Sequence, residues 1–275
     1  MTPPMPALSL RRLPRTPLGR RLAAHALALL GLLALASLPC PAHESFTRPA
    51  QGSGLAALLR GETRIDAVFF DTSTTRLIVI DEGSPKQYGS LSEALRRHGC
   101  RAGINGGYFG ADARATPLGL IVHGGRQRYR LATGAFTVAG VLSDDGKTIR
   151  LERSRALRTP IASMKEALQA GPFLIENGKP VAGLNNSRRA RRSFIATDGR
   201  GRWCIAVCSP VTLRELALWL HDGALGNFRV QSALNLDGGS SSALIDRSSG
   251  LSIRNAKPLR TYIGLAPRAP RAPRP

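Results

Sequence analysis

The 275-residue sequence predicts an α+β fold, a single domain with mixed, largely antiparallel sheets and a few packed helices. Four pairs of short apolar runs flank glycine-containing turns, which is the pattern of β-hairpins. The predicted helices do not alternate strictly with the strands, which disfavours a doubly wound parallel sheet. Hydrophobic residues make up 43% and charged residues 21%, so a chain disordered throughout is excluded.

The first half of the domain is predicted to contain mostly hairpin strands. Ser90 or Ser92 can cap a helix over 90–98 that ends at Gly99, and a second helix is predicted over 160–169. Polar or glycine-rich turns separate the strands predicted at 64–71, 76–81, 101–105, 118–123, 126–131, 135–143 and 147–153.

The second half continues the same pattern. Turns at Asn177-Gly178 and Asp198-Gly199 indicate two further hairpins. Thr212 caps an amphipathic helix over 212–221, in which apolar residues recur at helical spacing. Strands are predicted at 173–176, 180–181, 193–197, 203–208, 232–236, 243–246 and 262–265.

The two termini are predicted to lie outside the domain. Residues 1–42 combine a basic region with an apolar run over 22–38, which is typical of a signal peptide and short for a membrane span. We therefore expect an exported protein, periplasmic or secreted, with no stable membrane span after signal removal; a retained anchor is the alternative. Residues 43–62 form a leader with a short helix over 55–60, 63–265 the domain, and 266–275 an extended Ala-Pro-Arg tail.

The spacing of the cysteines and histidines, and the low content of aromatic residues, exclude several kinds of site. Cys204 and Cys208 lie four residues apart in a predicted strand, about 13 Å, which is too far for a disulfide; Cys100 could pair with either. No spacing typical of metal ligands occurs, so neither a metal nor a cofactor is predicted. The net charge is +21, but aromatic residues are only 5% and do not interleave with basic ones, so no nucleic-acid partner is predicted.

Two glycine-rich segments carry the candidate chemistry. A predicted strand ends at Asn105, and Gly106, Gly107 and Tyr108 follow. The glycines would let the backbone approach a ligand, although Asn105 could simply cap its own loop. A second apolar strand leads to Asp237, followed by two glycines and three serines at 238–242. This set suits a sugar or an anion, while an Asx turn is the alternative.

The run of arginines at 188–192 offers a third candidate. Planar guanidinium groups suit phosphate, but such a run is usually a solvated loop. Arg192 differs from the other three because it opens the strand predicted at 193–197, where its position would be fixed.

The order of these motifs resembles the phosphodiester glycosidase family over about residues 65–265. The resemblance rests on segments at 105–109, 117–120, 171–172, 192–196 and 235–242. It implies an exported hydrolase that cleaves the glycosidic bond of a sugar-1-phosphodiester in an envelope glycan or a related substrate. The family often has three glycines before its serines, and Ser240 replaces the third here.

The resemblance and the chemistry together assign roles. Asp237 would act at the anomeric carbon, as nucleophile or as base for water, while Arg192 clamps the phosphate and Asn105 holds sugar or phosphate oxygens. A second carboxylate is expected in the usual two-acid scheme; its candidates are Asp71, Glu176 and Asp198. The substrate-binding residues are predicted to be Gly106, Gly107, Tyr108, Gly238, Gly239, Ser241 and Ser242.

Two other functions compete with this hypothesis. One is a non-catalytic envelope protein that binds anionic polysaccharide through its positive charge. The other is a phosphodiesterase that breaks the P–O bond instead of the C–O bond.

Overall fold

The computed structural model of the protein describes residues 42–48, 62–83, 90–257 and 259–269. Most of the predicted signal peptide, the helix predicted over 55–60 and most of the Ala-Pro-Arg tail lie outside these residues. In the described part, no helix is long and apolar enough to cross a bilayer.

The described residues form two α-helices and three antiparallel sheets, so the predicted α+β fold is confirmed. The helices are α1 (Leu91–Arg97) and α2 (Leu213–His221). The strands are β1 (Ala42–Arg48), β2 (Thr63–Asp71), β3 (Thr75–Asp81), β4 (Ala102–Asn105), β5 (Ile121–His123), β6 (Arg126–Tyr129), β7 (Gly140–Asp144), β8 (Ile149–Arg153), β9 (Glu166–Ala170), β10 (Phe173–Glu176), β11 (Lys179–Pro180), β12 (Ala190–Thr197), β13 (Arg202–Val211), β14 (Ser232–Asn235), β15 (Leu244–Asp246), β16 (Leu251–Ile253) and β17 (Thr261–Pro267).

The sheets pack against one another around a shared core. The seven-stranded sheet has the order β1-β2-β13-β12-β14-β10-β11; the five-stranded sheets have the orders β16-β15-β4-β17-β3 and β6-β5-β9-β7-β8. Phe70 and Leu234 from the first sheet, Val79 from the second and Leu142 from the third belong to one buried apolar cluster. Burial of this cluster supplies the main hydrophobic contribution to the fold.

Each α-helix covers the outer face of one sheet. The buried face of α2 packs on the seven-stranded sheet, and that of α1 on the sheet containing β4. Thr212 begins α2 with a capping box: its hydroxyl accepts from the Glu215 N–H at 3.1 Å, and Glu215 accepts from the Thr212 N–H at 2.8 Å. The helix predicted over 212–221, with Thr212 as its cap, is therefore confirmed.

The prediction of a helix over 160–169 is wrong. Residues Ile161–Ser163 form one 3-10 turn, and the fully buried strand β9 follows. The polar residues of β9 follow the pattern of the solvent-exposed face of a helix, but their side chains form hydrogen bonds with backbone groups inside the protein. Glu166 accepts N–H groups from Val79 at 2.9 Å and from Gly124 at 3.1 Å. These bonds satisfy a buried carboxylate that a sequence pattern assigns to solvent.

The leader predicted at 43–62 contains an unexpected strand. β1 pairs antiparallel with β2 along its whole length, so residues 42–48 belong to the seven-stranded sheet. The sequence did not predict β1 because the strand is polar, and a strand at the edge of a sheet needs few apolar residues. The Ser45 hydroxyl of β1 donates to the Asp66 carboxylate at 2.6 Å and accepts from the Arg64 guanidinium at 3.1 Å, which joins the two strands. The short strand β16 also escaped prediction.

The three cysteines of the described residues are buried free thiols. Cys204 and Cys208 lie under α2 on the seven-stranded sheet, whereas Cys100 lies in the separate cluster under α1. The disulfide considered between Cys100 and one of the other two is therefore absent.

Candidate active site

The two glycine-rich segments predicted to carry the chemistry meet in space. Asn105 ends β4 and Asn235 ends β14, which belong to different sheets. The Asp237 N–H donates to the Gly106 carbonyl at 3.1 Å, and the Asn105 side-chain amide donates to the Asp237 carbonyl at 2.7 Å. The loops after the two strands are thus held directly against each other.

Asn105 lies behind this junction and uses its side chain on backbone groups. The side chain is buried, and its oxygen accepts the Ala243 N–H at 3.1 Å while its nitrogen binds Asp237. With both ends of the amide engaged, Asn105 fixes the path of the segment that carries Asp237. It does not line the cavity described next.

A cavity of about 320 Å³ opens in front of the junction. Its volume is at the lower end of the range for small-molecule sites. The side chains around it that carry charge or can form hydrogen bonds are those of Tyr108, Asn185, Arg188, Arg192, Asp237 and Ser240. Arg192 and Asp237, which are 45 positions apart in the chain, therefore face one space.

Arg192 is held in place by its own hydrogen bonds. Its Nε donates to the Val211 carbonyl at 3.0 Å, and one Nη donates to the Arg188 carbonyl at 2.6 Å. Burial lowers the pKa of the guanidinium from its ordinary value, yet an arginine side chain stays charged in a protein. Its remaining N–H donors provide a fixed positive charge at the cavity wall.

The rest of the arginine run divides into different roles. Arg188 is exposed, as the sequence predicted, but it also lines the cavity. Arg189 is not simply solvated: it pairs with the Glu215 carboxylate and donates to the Pro210 carbonyl at 2.8 Å. Since Glu215 caps α2, this pair anchors the arginine loop to the helix.

The Asp237 carboxylate is partly buried beside these cations. Burial raises its pKa, while hydrogen bonds from Ser241 and from the Gly238 N–H, and the charge of Arg188, act in the opposite direction. The Gly238 N–H reaches one carboxylate oxygen at 2.9 Å. A carboxylate with reduced solvation and free lone pairs can act as a base or a nucleophile.

Tyr108 adds a neutral hydroxyl between the acid and the arginines. Its oxygen accepts the Asn235 side-chain N–H at 2.8 Å. Burial, and next the negative charge of Asp237, raise the pKa of Tyr108 to about 12, against the opposing charge of Arg192. The phenol therefore keeps its proton at neutral pH and can donate it in a hydrogen bond within the cavity.

The profile of the phosphodiester glycosidase family matches residues 98–266, more than half of the chain. The chain belongs to the phosphodiester glycosidase family. Its fold is similar to the catalytic domain of zebrafish N-acetylglucosamine-1-phosphodiester alpha-N-acetylglucosaminidase, auto-inhibited by its pro-peptide, with 15% identity, a TM-score of 0.59 and 84% of each chain covered. No curated protein sequence matches the chain.

Two bacterial structures share the fold. A hypothetical protein from Synechocystis is 16% identical with a TM-score of 0.53, over 84% of this chain and 64% of that one. A Burkholderia pseudomallei protein, whose assignment as exported is provisional, is 12% identical with a TM-score of 0.51 over 89% of both chains. At these identities the likeness concerns the fold alone.

Close packing requires three of the predicted glycines. A Cβ at Gly106 would collide with Thr261, at Gly107 with the Gln169 carbonyl, and at Gly238 with the Arg191 carbonyl. The Gly106 N–H donates to the Thr261 carbonyl at 2.8 Å. The N–H groups of Gly106 and Gly238 are thus already engaged, with Thr261 and Asp237 respectively, although Gly238 itself lines the cavity. Gly239 differs: its φ of +64° requires glycine.

The serines lie at different depths. Ser240 is exposed and lines the cavity, whereas Ser241 is buried and hydrogen-bonds Asp237. Ser242 is fully buried, and its hydroxyl has no partner among the described residues. Of the two serines predicted to bind substrate, Ser241 is thus placed to orient Asp237, and Ser242 does not reach the cavity wall.

None of the candidate second carboxylates lies at the cavity. Asp71 accepts the Ser73 N–H at 2.7 Å in a turn, and Asp198 accepts the Arg200 N–H at 2.7 Å in another. Glu176 pairs with Arg153. Among the described residues that line the cavity, Asp237 is the sole carboxylate.

Sequence reasoning missed Gln169, a buried amide that supports the site from behind. Its side chain accepts the N–H groups of Leu120 and Ala132, and it donates to the carbonyls of Ala132 and Val138 at 2.6 and 2.7 Å. These bonds fix the loop over 132–138. The available signal was a glutamine inside an apolar segment, but the sequence pattern predicts a helix there.

Proposed function

We propose that this protein hydrolyses a sugar-1-phosphodiester by breaking the bond between the sugar C1 and the phosphate oxygen. The observation that carries the proposal is that the Asp237 carboxylate shares one cavity with Arg188 and Arg192. Family membership supports the same reaction class.

The two arginines would bind the phosphate. Arg192 offers a guanidinium already oriented by two carbonyls, and Arg188 offers an exposed one that lines the same cavity. Charge-assisted contacts of this kind are stronger than neutral hydrogen bonds. They stabilise the negative charge that grows on the leaving phosphate as the C1–O bond breaks.

Asp237 would face C1 of the bound sugar. It either attacks C1 to form a glycosyl ester that water then hydrolyses, or removes a proton from the water that attacks C1 directly. In both routes the electron pair of the C1–O bond leaves with the phosphate. The products are a free sugar, which gains the water oxygen, and a phosphomonoester.

One carboxylate is sufficient for this leaving group. An ordinary glycoside releases a basic alkoxide and needs a second acid to protonate it, whereas a phosphate monoester leaves as a stabilised anion. A hydrogen bond from the neutral Tyr108 hydroxyl, together with the arginines, replaces much of that acid catalysis.

The substrate would be an envelope glycan or a related sugar phosphate met outside the cytoplasm. The apolar run at 22–38, preceded by arginines, supports export. Removal of the predicted signal peptide, which contains five arginines and no acidic residue, would leave a net charge of +16, and this charge favours association with anionic substrates.

Hydrolysis in oxygen-18 water tests the bond that breaks. The wild-type protein is incubated with a sugar-1-phosphate methyl diester, and both products are analysed by mass spectrometry. The proposal predicts label in the sugar. Label in the phosphate would mean P–O cleavage by a phosphodiesterase, and binding without turnover would mean a non-catalytic polysaccharide-binding protein; either result contradicts the proposal.

A further inference from the structure

A second cavity of about 280 Å³ lies beside the candidate active site, and Phe136 lines both. Pro172, Phe173 and Val181 give the second cavity apolar walls, and Arg155 lies at its edge. Each cavity alone has a volume at or below the lower end of the range for ligand sites, but a ligand that crosses Phe136 could use both.

Phe136 is far more exposed than a phenylalanine normally is. Its exposed fraction is 64%, the highest among the large hydrophobic residues of the described segments. Because the ring lines two cavities, a ligand that covers it would remove apolar surface from water and could stack on it.

The backbone of the loop that presents Phe136 is held by hydrogen bonds and by close packing. Gln169 donates to the carbonyls on either side of it, at Ala132 and Val138. The Phe136 carbonyl lies so close to Gly171 that a Cβ there would collide with it. The ring is therefore offered from a fixed backbone, which reduces the entropy lost when a ligand stacks on it.

The second cavity also carries an unneutralised positive charge. Arg153 is paired with Glu176 and lies over the Phe173 ring, 5.2 Å from its centroid. Arg155 is exposed, and no carboxylate of the described residues pairs with it. A ligand that extends past Phe136 would therefore gain from a second negative group.

We propose that the second cavity is a subsite for the alcohol side of the phosphodiester, and that this alcohol is a further sugar phosphate. This inference rests on the proposed function, which places the scissile phosphate at Arg188 and Arg192. The next sugar stacks on Phe136, and the next phosphate reaches Arg155. The preferred substrate is then a chain of sugars joined by phosphodiester bonds, and a diester of a small alcohol fills only the first cavity.

Calorimetric binding to the full chain carrying Asp237→Asn, which prevents turnover, tests the subsite. The two probes are a sugar-1-phosphate methyl diester and a phosphodiester-linked sugar trimer. Adding Phe136→Ala is expected to weaken trimer binding about tenfold and methyl diester binding less than about twofold, while Phe136→Trp retains trimer affinity. Arg155→Gln is expected to weaken the trimer alone.

Matched controls come from the same chain. Leu218→Ala removes another exposed apolar side chain, 43% exposed on α2, and Arg158→Gln removes an exposed arginine outside the cavity; both should bind the trimer like the parent.

Equal weakening of both probes by Phe136→Ala, or no binding of the trimer, would overturn the subsite. If the trimer binds as expected but the wild-type chain hydrolyses neither probe, the proposed function fails and the subsite stands.

Discussion

The side-chain amide of Asn105 donates a hydrogen bond to the main-chain carbonyl of Asp237 over 2.7 Å. This bond joins the end of a strand in one sheet to the loop after a strand in another. The segment that carries the Asp237 carboxylate is thus held in place where the ends of two strands from different sheets meet.

Asn105→Asp tests this positioning role. The substituted oxygen cannot donate to the Asp237 carbonyl, and it places a carboxylate in a buried position. We expect a loss of about 1–3 kcal/mol in the free energy of unfolding, measured by denaturant titration. The kcat should fall while inhibition by inorganic phosphate is retained, because the arginines are untouched. Unchanged kcat in a destabilised variant would reduce Asn105 to a purely structural residue.

The raised pKa of Asp237 predicts a pH-dependent stability difference. Burial disfavours the ionised form in the folded protein, so Asp237 costs stability as the pH rises from the ordinary carboxyl pKa through the folded value. Asp237→Asn stays neutral and escapes this cost. The Tm of the variant relative to wild type should therefore increase between about pH 3 and about pH 7. A relative Tm that falls over this range would show that the carboxylate is stabilised by its neighbours.

Arg188→Gln tests the exposed arginine of the proposed phosphate site. Because Arg188 is exposed, its loss should leave the Tm near that of wild type. We expect KM to rise about tenfold, the scale of one charge-assisted hydrogen bond. Arg191→Gln is the matched control, since it removes an arginine of the same run that does not line the cavity. Equal changes in both variants would indicate a general effect of net charge instead of a specific contact.

Gly239→Ala tests the loop geometry beside Asp237. The φ of +64° is strained for alanine, although a Cβ would meet no atom within 4 Å. We expect a destabilisation of about 1 kcal/mol, measured by denaturant titration. A variant as stable as wild type would show that the loop can adopt another conformation.

The hairpins were predictable from sequence because their signals are local. The turns at Asn177-Gly178 and Asp198-Gly199 lie between short apolar runs and form as predicted. β9 was not predictable in this way, because Glu166 and Gln169 are satisfied by backbone groups of distant segments. β1 is a polar edge strand whose pairing with β2 leaves little apolar pattern.

The sequence predicted several of the residues that belong to the site, but not how their side chains are arranged. Arg192 and Asp237 were singled out by residue type and by their positions at strand ends, and they do share a cavity. The inward turn of Asn105 depends on the packing of β4 against its neighbours, which no local pattern reports. The same holds for Asn235, whose side chain bonds from the end of β14 to Tyr108 in the loop after β4.

The central claim is that Asp237 acts at the sugar carbon. The most direct test is the turnover of a sugar-1-phosphodiester by Asp237→Asn, with Asp198→Asn as a control that alters a carboxylate in a distant turn. The account predicts a loss of about a thousandfold or more in kcat for Asp237→Asn with folding intact, and wild-type turnover for the control. Wild-type turnover by folded Asp237→Asn would contradict it.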